Sequence, residues 1–181
     1  MNTGEEFVSM AIRRMKYYKE LGEKTFEQLE DKDFHWMPSS ESNSIAVIIQ
    51  HISGNMLSRW TNFLTEDGEK EWRQRDDEFQ VHDYSKERLM EMWDKGWECF
   101  LNALDSLKPE DLTKAVHIRQ ESLSVIDAII RQLAHYPYHI GQILYIGRMI
   151  KNERWKNLSI PKGTSTQYNT GAQIKDPAKK F

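Results

Sequence analysis

Cys99 is the only thiol in the 181-residue chain, so no disulfide can form within it and a cysteine-built zinc finger is excluded. Positive charge is not in excess either. Lys and Arg number 25 against 28 Asp and Glu, a formal net charge of −3, whereas a general nucleic-acid binder carries a strong basic balance. No apolar run approaches the roughly 18 residues that a membrane span needs. No nucleic-acid or membrane partner is therefore expected. The first residues, M-N-T-G-E-E, lack the basic stretch and apolar core of a signal peptide, so the expected compartment is the cytoplasm. Prolines number five, and strand-like alternation is nearly absent. What the chain does have is 39% hydrophobic residues, enough at this length for one domain with a real core.

Those hydrophobic residues recur at the helical period, which predicts four main helices in an all-α fold. The first is expected from about Gly4 to Leu29, capped by Thr3 with Glu6 three residues on, and striped by Phe7, Ala11, Met15, Tyr18, Gly22, Phe26 and Leu29. The second is expected from Asn43 or Ser44 to near Thr65, with Ile45, Ile48, Ile49, Ile52, Met56, Trp60 and Phe63 inward. Ser85 opens the third, which reaches about Leu107. The fourth spans about Ser124 to Lys151, with a bend expected at Pro137, whose ring removes a backbone donor and crowds the preceding turn.

Between the second and third helices, residues 65–84 carry seven acidic side chains from Glu66 to Glu78, and read as a solvated loop or short surface helix. Such a loop is long enough to run the length of a bundle. Residues 113–120 alternate weakly and suggest an extended segment. From Lys151 onward the local charge is positive, with Trp155, Leu158, Ile160 and Tyr168 as apolar anchors. The expected organisation is one domain over 1–170 and a flexible tail over 171–181.

His135 and His139, in H-Y-P-Y-H, lie four apart on the fourth helix and leave the same face one turn apart, as two nitrogen ligands of one divalent ion must. Tyr136 stands where H-E-x-x-H would have its glutamate, which argues against a zincin-type protease. A third ligand has four candidates: His35, His51, His82 and His117. His51 is favoured, because it sits mid-helix at the edge of the second stripe, where side chains from facing helices can build a site in a bundle core. Each histidine has a plainer reading as a hydrogen-bonded core residue. Gln50, Asn55, Gln132 and Gln142 are placed to orient an imidazole. Arg131 and Arg148 are candidates for attracting a carboxylate, Tyr136 reads as core, and Cys99 as an inert, buried thiol.

The segments S-I-A-V-I-I-Q-H-I-S-G-N-M, with His51, and R-Q-L-A-H-Y-P-Y-H-I-G-Q-I, with His135 and His139, resemble the DinB-like family of bacterial four-helix bundles. W-K-N-L-S-I-P-K-G is similar to an uncharacterised branch of it, and the likeness covers about residues 5–170. The resemblance implies an up-down-down-up bundle with a long crossover between helices two and three, a divalent metal held by His51, His135 and His139, and a homodimer. Members with known activity include thiol-dependent S-transferases, some using bacillithiol, and mycothiol-dependent isomerases. By that resemblance, the chain is expected to be a metal-dependent transferase joining a low-molecular-weight thiol to a small electrophile. Nitrogen ligation suits zinc, nickel or another late first-row ion, with zinc and nickel the first expectations. Two other readings stand beside it: a metal-containing stress- or damage-response protein without turnover, and a hydrolase. The hydrolase needs a general base, and no acidic residue lies beside the three histidines in sequence.

Overall fold

Four long helices form where the periodicity predicts them: α1 (Thr3–Phe26), α2 (Ile45–Trp60), α3 (Lys86–Asp105) and α4 (Val125–Lys151). A short helix, α5 (Ser165–Thr170), follows them. The structure is a computed structural model and describes residues 2–181. Serine hydroxyls open three of the long helices. Ser44 accepts from the Val47 amide, Ser85 from Arg88 and Ser124 from Asp127, each at 3.2 Å.

The cap of α1 lies one residue earlier than expected. Asn2 Oδ1 accepts from the Glu5 amide and the Glu5 carboxylate accepts from the Asn2 amide, both at 2.9 Å, so Thr3 is the first helical residue rather than the cap. Asn2/Glu5 and Thr3/Glu6 have the same spacing, and the pattern alone could not choose between them. Helix α2 stops at Trp60, short of Thr65, because Thr61 turns extended and Asn62 adopts φ 50°. Helix α4 runs unbroken through Pro137.

The fold is mostly helical but not purely so. Strands β1 (Ala115–Ile118) and β2 (Glu121–Ser124) pair antiparallel, with Val116 opposite Leu123. Only the first had been expected as extended. Arg119 and Gln120 both take positive φ, 55° and 67°, and so form the tight two-residue turn of a hairpin. Neither is the Asn or Gly that marks such a turn in sequence, and E-S-L-S lacks an apolar alternation, so β2 left no sequence signal.

Helix α1 packs against α4 and α3, and α2 against α3 and α4, around one shared core. That core is aromatic. Trp60 and Phe100 lie 4.8 Å apart between ring centres, Phe100 and Tyr136 5.2 Å, and Trp93 and Trp97 5.5 Å. Gly22 lets α1 approach the core closely: a Cβ there would stand 2.6 Å from the Trp93 ring. Trp36 and Trp72 are exposed instead. Among the described residues no helix is long and apolar enough to cross a membrane.

The connection between α2 and α3 departs from its expected solvated character. Lys70, Arg73 and Glu78 on it are buried, and a short 3-10 turn, Asp77–Phe79, packs against α2. Burial of these charges is compensated by pairing: Lys70 with Glu66, and Arg73 with Glu78. At the other end of the chain, Asp176 accepts a two-pronged bond from Arg14 at 2.5 and 2.6 Å, Lys180 pairs with Glu20, and Ala178 is buried against α1.

Candidate metal centre

His51 projects from the middle of α2, and His135 and His139 project one turn apart from α4. The packing of α2 against α4 brings them together. Their ligand atoms all lie within 4.8 Å of one another. His51 and His139 are buried and His135 is half-buried.

The three rings meet through the same atom. His135 Nε2 lies 3.3 Å from His51 Nε2 and 3.1 Å from His139 Nε2. Each Nδ1 faces an oxygen that only accepts. His51 Nδ1 is 3.0 Å from Glu78 Oε2, His135 Nδ1 is 3.2 Å from Gln132 Oε1, and His139 Nδ1 is 2.8 Å from Gln142 Oε1. An Nδ1 donating to such an oxygen carries the proton in the neutral ring, which leaves the lone pair on Nε2. Three lone pairs then converge with no donor among them. A cation is what such a set accommodates, and the ring orientation matches what histidine ligands show when an outer oxygen fixes their tautomer. Nitrogens at about 2.0–2.1 Å from a tetrahedral ion stand about 3.3–3.4 Å from each other, close to the two separations here. The three histidines could thus hold a metal ion.

A proton is a poor substitute for a metal ion at this position. Burial pushes His135 down to about 3, with the neighbouring His139 and His51 adding to it. Burial also lowers His139, against the opposing hydrogen bond to Gln142. Both rings are neutral near pH 7, the state a metal ligand requires.

Glu78 is the residue that sequence reasoning missed. No acid is adjacent to the histidines in the chain, but the crossover folds this one onto His51. Arg73 Nε and Nη2 reach its two oxygens at 2.8 and 2.9 Å, so the order is Arg73, Glu78, His51. Burial alone would raise the Glu78 pKa, but the bonds from His51 and Arg73 outweigh it and hold the carboxyl below its ordinary value. A Cβ at position 54 would overlap this carboxylate, so Gly54 on α2 provides its space. Phe79 packs on the His51 ring at 4.6 Å. Seven acids spaced without period gave no reason to single out Glu78.

The other nominated residues divide. Gln132 and Gln142 do touch histidines, whereas Gln50 Nε2 donates to the Ala46 carbonyl. Asn55 accepts from the Tyr136 hydroxyl at 3.0 Å, and that hydroxyl accepts from Trp60 Nε1 at 3.1 Å. Tyr136 is fully buried, as core. Cys99 is half-buried, its sulfur 3.6 Å from Thr61 Oγ1. Three candidate ligands lie elsewhere: His35 bonds the Tyr84 carbonyl, His82 pairs with Asp77, and His117 is exposed on β1. Arg131 lines a cavity of about 260 Å³ that His51 and His135 border, together with Asn55, Gln132 and four further arginines.

No curated protein and no solved structure matches the chain. A family model does, over residues 2–164, described as a protein of unknown function, DUF1572. That span contains all four long helices, the hairpin and the three histidines, and on it the chain belongs to the DUF1572 family, which is DinB-like.

Proposed function

We propose that this chain is a divalent-metal protein built as an up-down-down-up four-helix bundle, and that it acts as a metal-dependent thiol S-transferase on a small electrophile. The bundle topology is supported by the ring of contacts α1–α4–α2–α3 and by the long crossover between α2 and α3. The observation that carries the metal reading is the convergence of three Nε2 atoms whose rings are each anchored through Nδ1 to an accepting oxygen. His51, His135 and His139 would hold the ion, with zinc or nickel suited to an all-nitrogen set. A divalent ion on three neutral ligands supplies Lewis acidity, enough to favour the thiolate of a bound thiol at neutral pH.

The chain's own groups support transfer rather than hydrolysis. Hydrolysis by general-base catalysis needs a carboxylate or imidazole free to take a proton from water. Glu78 has both oxygens engaged by Arg73 and His51, which makes it an orienting group. Gln132 and Gln142 hold the other two rings, and the adjoining cavity provides room for a substrate beside His51 and His135.

Purified protein is expected to carry one divalent ion per chain by elemental analysis. The loaded protein should transfer bacillithiol to a monohalobimane-type electrophile at a rate abolished by chelation and restored by zinc or nickel. Metal without any metal-dependent rate would replace the transferase with a non-catalytic binding protein. A chain that stays metal-free in excess zinc and nickel would remove the metal reading itself.

A homodimer is part of the proposal. Ile130, Tyr138, Tyr145 and Met149 are exposed apolar side chains within an arc of about 100° on α4. Light scattering should report twice the chain mass, and a monomer at all concentrations would contradict it.

A further inference from the structure

The cavity beside the histidines has an unusual wall. Arg59, Arg73, Arg75, Arg119 and Arg131 all line it, with no Asp or Glu in the lining. These arginines come from distant parts of the chain: Arg59 from α2, Arg73 and Arg75 from the crossover, Arg119 from the hairpin turn and Arg131 from α4. Five guanidinium groups gathered around about 260 Å³ repel one another, and guanidinium keeps its charge at any ordinary pH.

The carboxylates behind the wall do not balance them. Glu69 Oε2 is shared by Arg59 at 2.8 Å, Arg119 at 3.2 Å and Arg73 at 3.6 Å. Glu78 takes the remaining face of Arg73. Asp67 accepts from the backbone amides of Glu69, Arg119 and Gln120. Arg59 and Arg73 are buried and fixed by these partners, and so form a rigid back. The other three are not satisfied in this way. Arg75 has only Asp76 at 3.8 Å, a fully exposed side chain, and rests over the Phe79 ring at 5.2 Å. Arg119 holds a third share of one Glu69 oxygen. Arg131 has no carboxylate partner among the described residues.

We infer that this cavity binds the compact dianionic group of a small substrate, a phosphate ester or a dicarboxylate, through Arg75, Arg119 and Arg131. Guanidinium forks match both oxyanions in geometry, and a dianion neutralises charge that the chain leaves uncompensated. Asn55 and Gln132 supply neutral donors on the same wall, and His51 and His135 border it, so an anchored anion would place the rest of its molecule at the three-histidine site. The anion site depends on the arginines and not on a metal. Its role in presenting a substrate rests on the metal reading above.

Calorimetric titration separates the two. Zinc-loaded wild-type protein is expected to bind inorganic phosphate or succinate saturably, one per chain. A triple variant, R75Q/R119Q/R131Q, should keep its zinc and bind that anion at least about tenfold more weakly. The three side chains are exposed, so the variant is expected to fold. Saturation by phosphate alone assigns a phosphate ester, and by succinate alone a dicarboxylate. No saturable binding of either anion, or unchanged affinity in the triple variant, overturns the inference. If the wild type holds zinc and neither anion binds, only the anion site falls. If wild type takes up no zinc yet binds an anion through the arginines, the metal reading falls and the anion site stands.

Discussion

Glu78→Ala is expected to weaken metal binding by about 10–100-fold and to destabilise the metal-free fold by about 3 kcal/mol. Two separate jobs of one carboxylate give the two effects. Toward His51 it fixes the ring by accepting from Nδ1 at 3.0 Å, which turns Nε2 to the other histidines and raises its basicity. Toward Arg73 it is the two-oxygen partner of a buried cation, Arg73 and Glu78 each being 9% exposed. Removing one partner of a buried pair costs about 3–5 kcal/mol. The low end applies here, because Glu69 remains 3.6 Å from Arg73. Urea unfolding with chelator present reads the second effect, and competition against a chromophoric chelator reads the first. Glu78→Gln should recover part of the affinity, since its amide oxygen can still accept from His51, while Arg73 loses its charged partner. Unchanged metal affinity in both variants would show that His51 does not ligate through a ring held by Glu78.

The sequence reading reached the helices and the histidines for the same physical reason and missed Glu78 and the hairpin for another. A helical stripe is a local property. Ile45, Ile48, Ile52 and Met56 recur because one face of α2 is buried, and His51 could be placed beside that face without knowing what covers it. His135 and His139 share a face by backbone geometry alone. Those residues are the ones the fold brings together. Glu78 reaches His51 only because the crossover folds back on α2, a contact between residues 27 apart with no period linking them. Its neighbours Asp76 and Asp77 are exposed and chemically similar. The arginine wall belongs to the same class: Arg131 could be nominated from its place near His135, but its four companions lie on three other parts of the chain. Cap placement failed on a smaller scale, where Asn2 and Thr3 offered the same signal one residue apart.

His139→Ala should differ from Glu78→Ala in sparing the metal-free fold: it should lose the metal and leave that fold within about 1 kcal/mol of wild type. With each ring's proton on Nδ1, the metal-free protein has Nε2 lone pairs facing one another across separations of 3.1 and 3.3 Å, a repulsive arrangement that His139 adds to rather than relieves. Its one favourable polar contact is the bond from Nδ1 to Gln142, which is half-buried, so water can replace the imidazole there. Truncation also leaves a small cavity, and that cost opposes the relief of the facing lone pairs. The metal-bound state behaves differently. At an ion concentration about 1,000 times Kd, binding adds about 4 kcal/mol to wild-type stability. For a chain of this length that is a rise of about 8–16 °C in melting temperature. The variant keeps two nitrogens from separate helices and should show almost none of this rise. Thermal melts with and without zinc, run on both variants, give four numbers whose pattern is diagnostic. The broken pair in Glu78→Ala predicts a deficit that persists in chelator and widens when zinc is supplied. A ligand at His139 predicts a deficit visible only when metal is supplied. A His139→Ala protein that melts far below wild type in chelator, and still gains the full increment from zinc, would make this histidine an ordinary core residue and leave the ion to other groups.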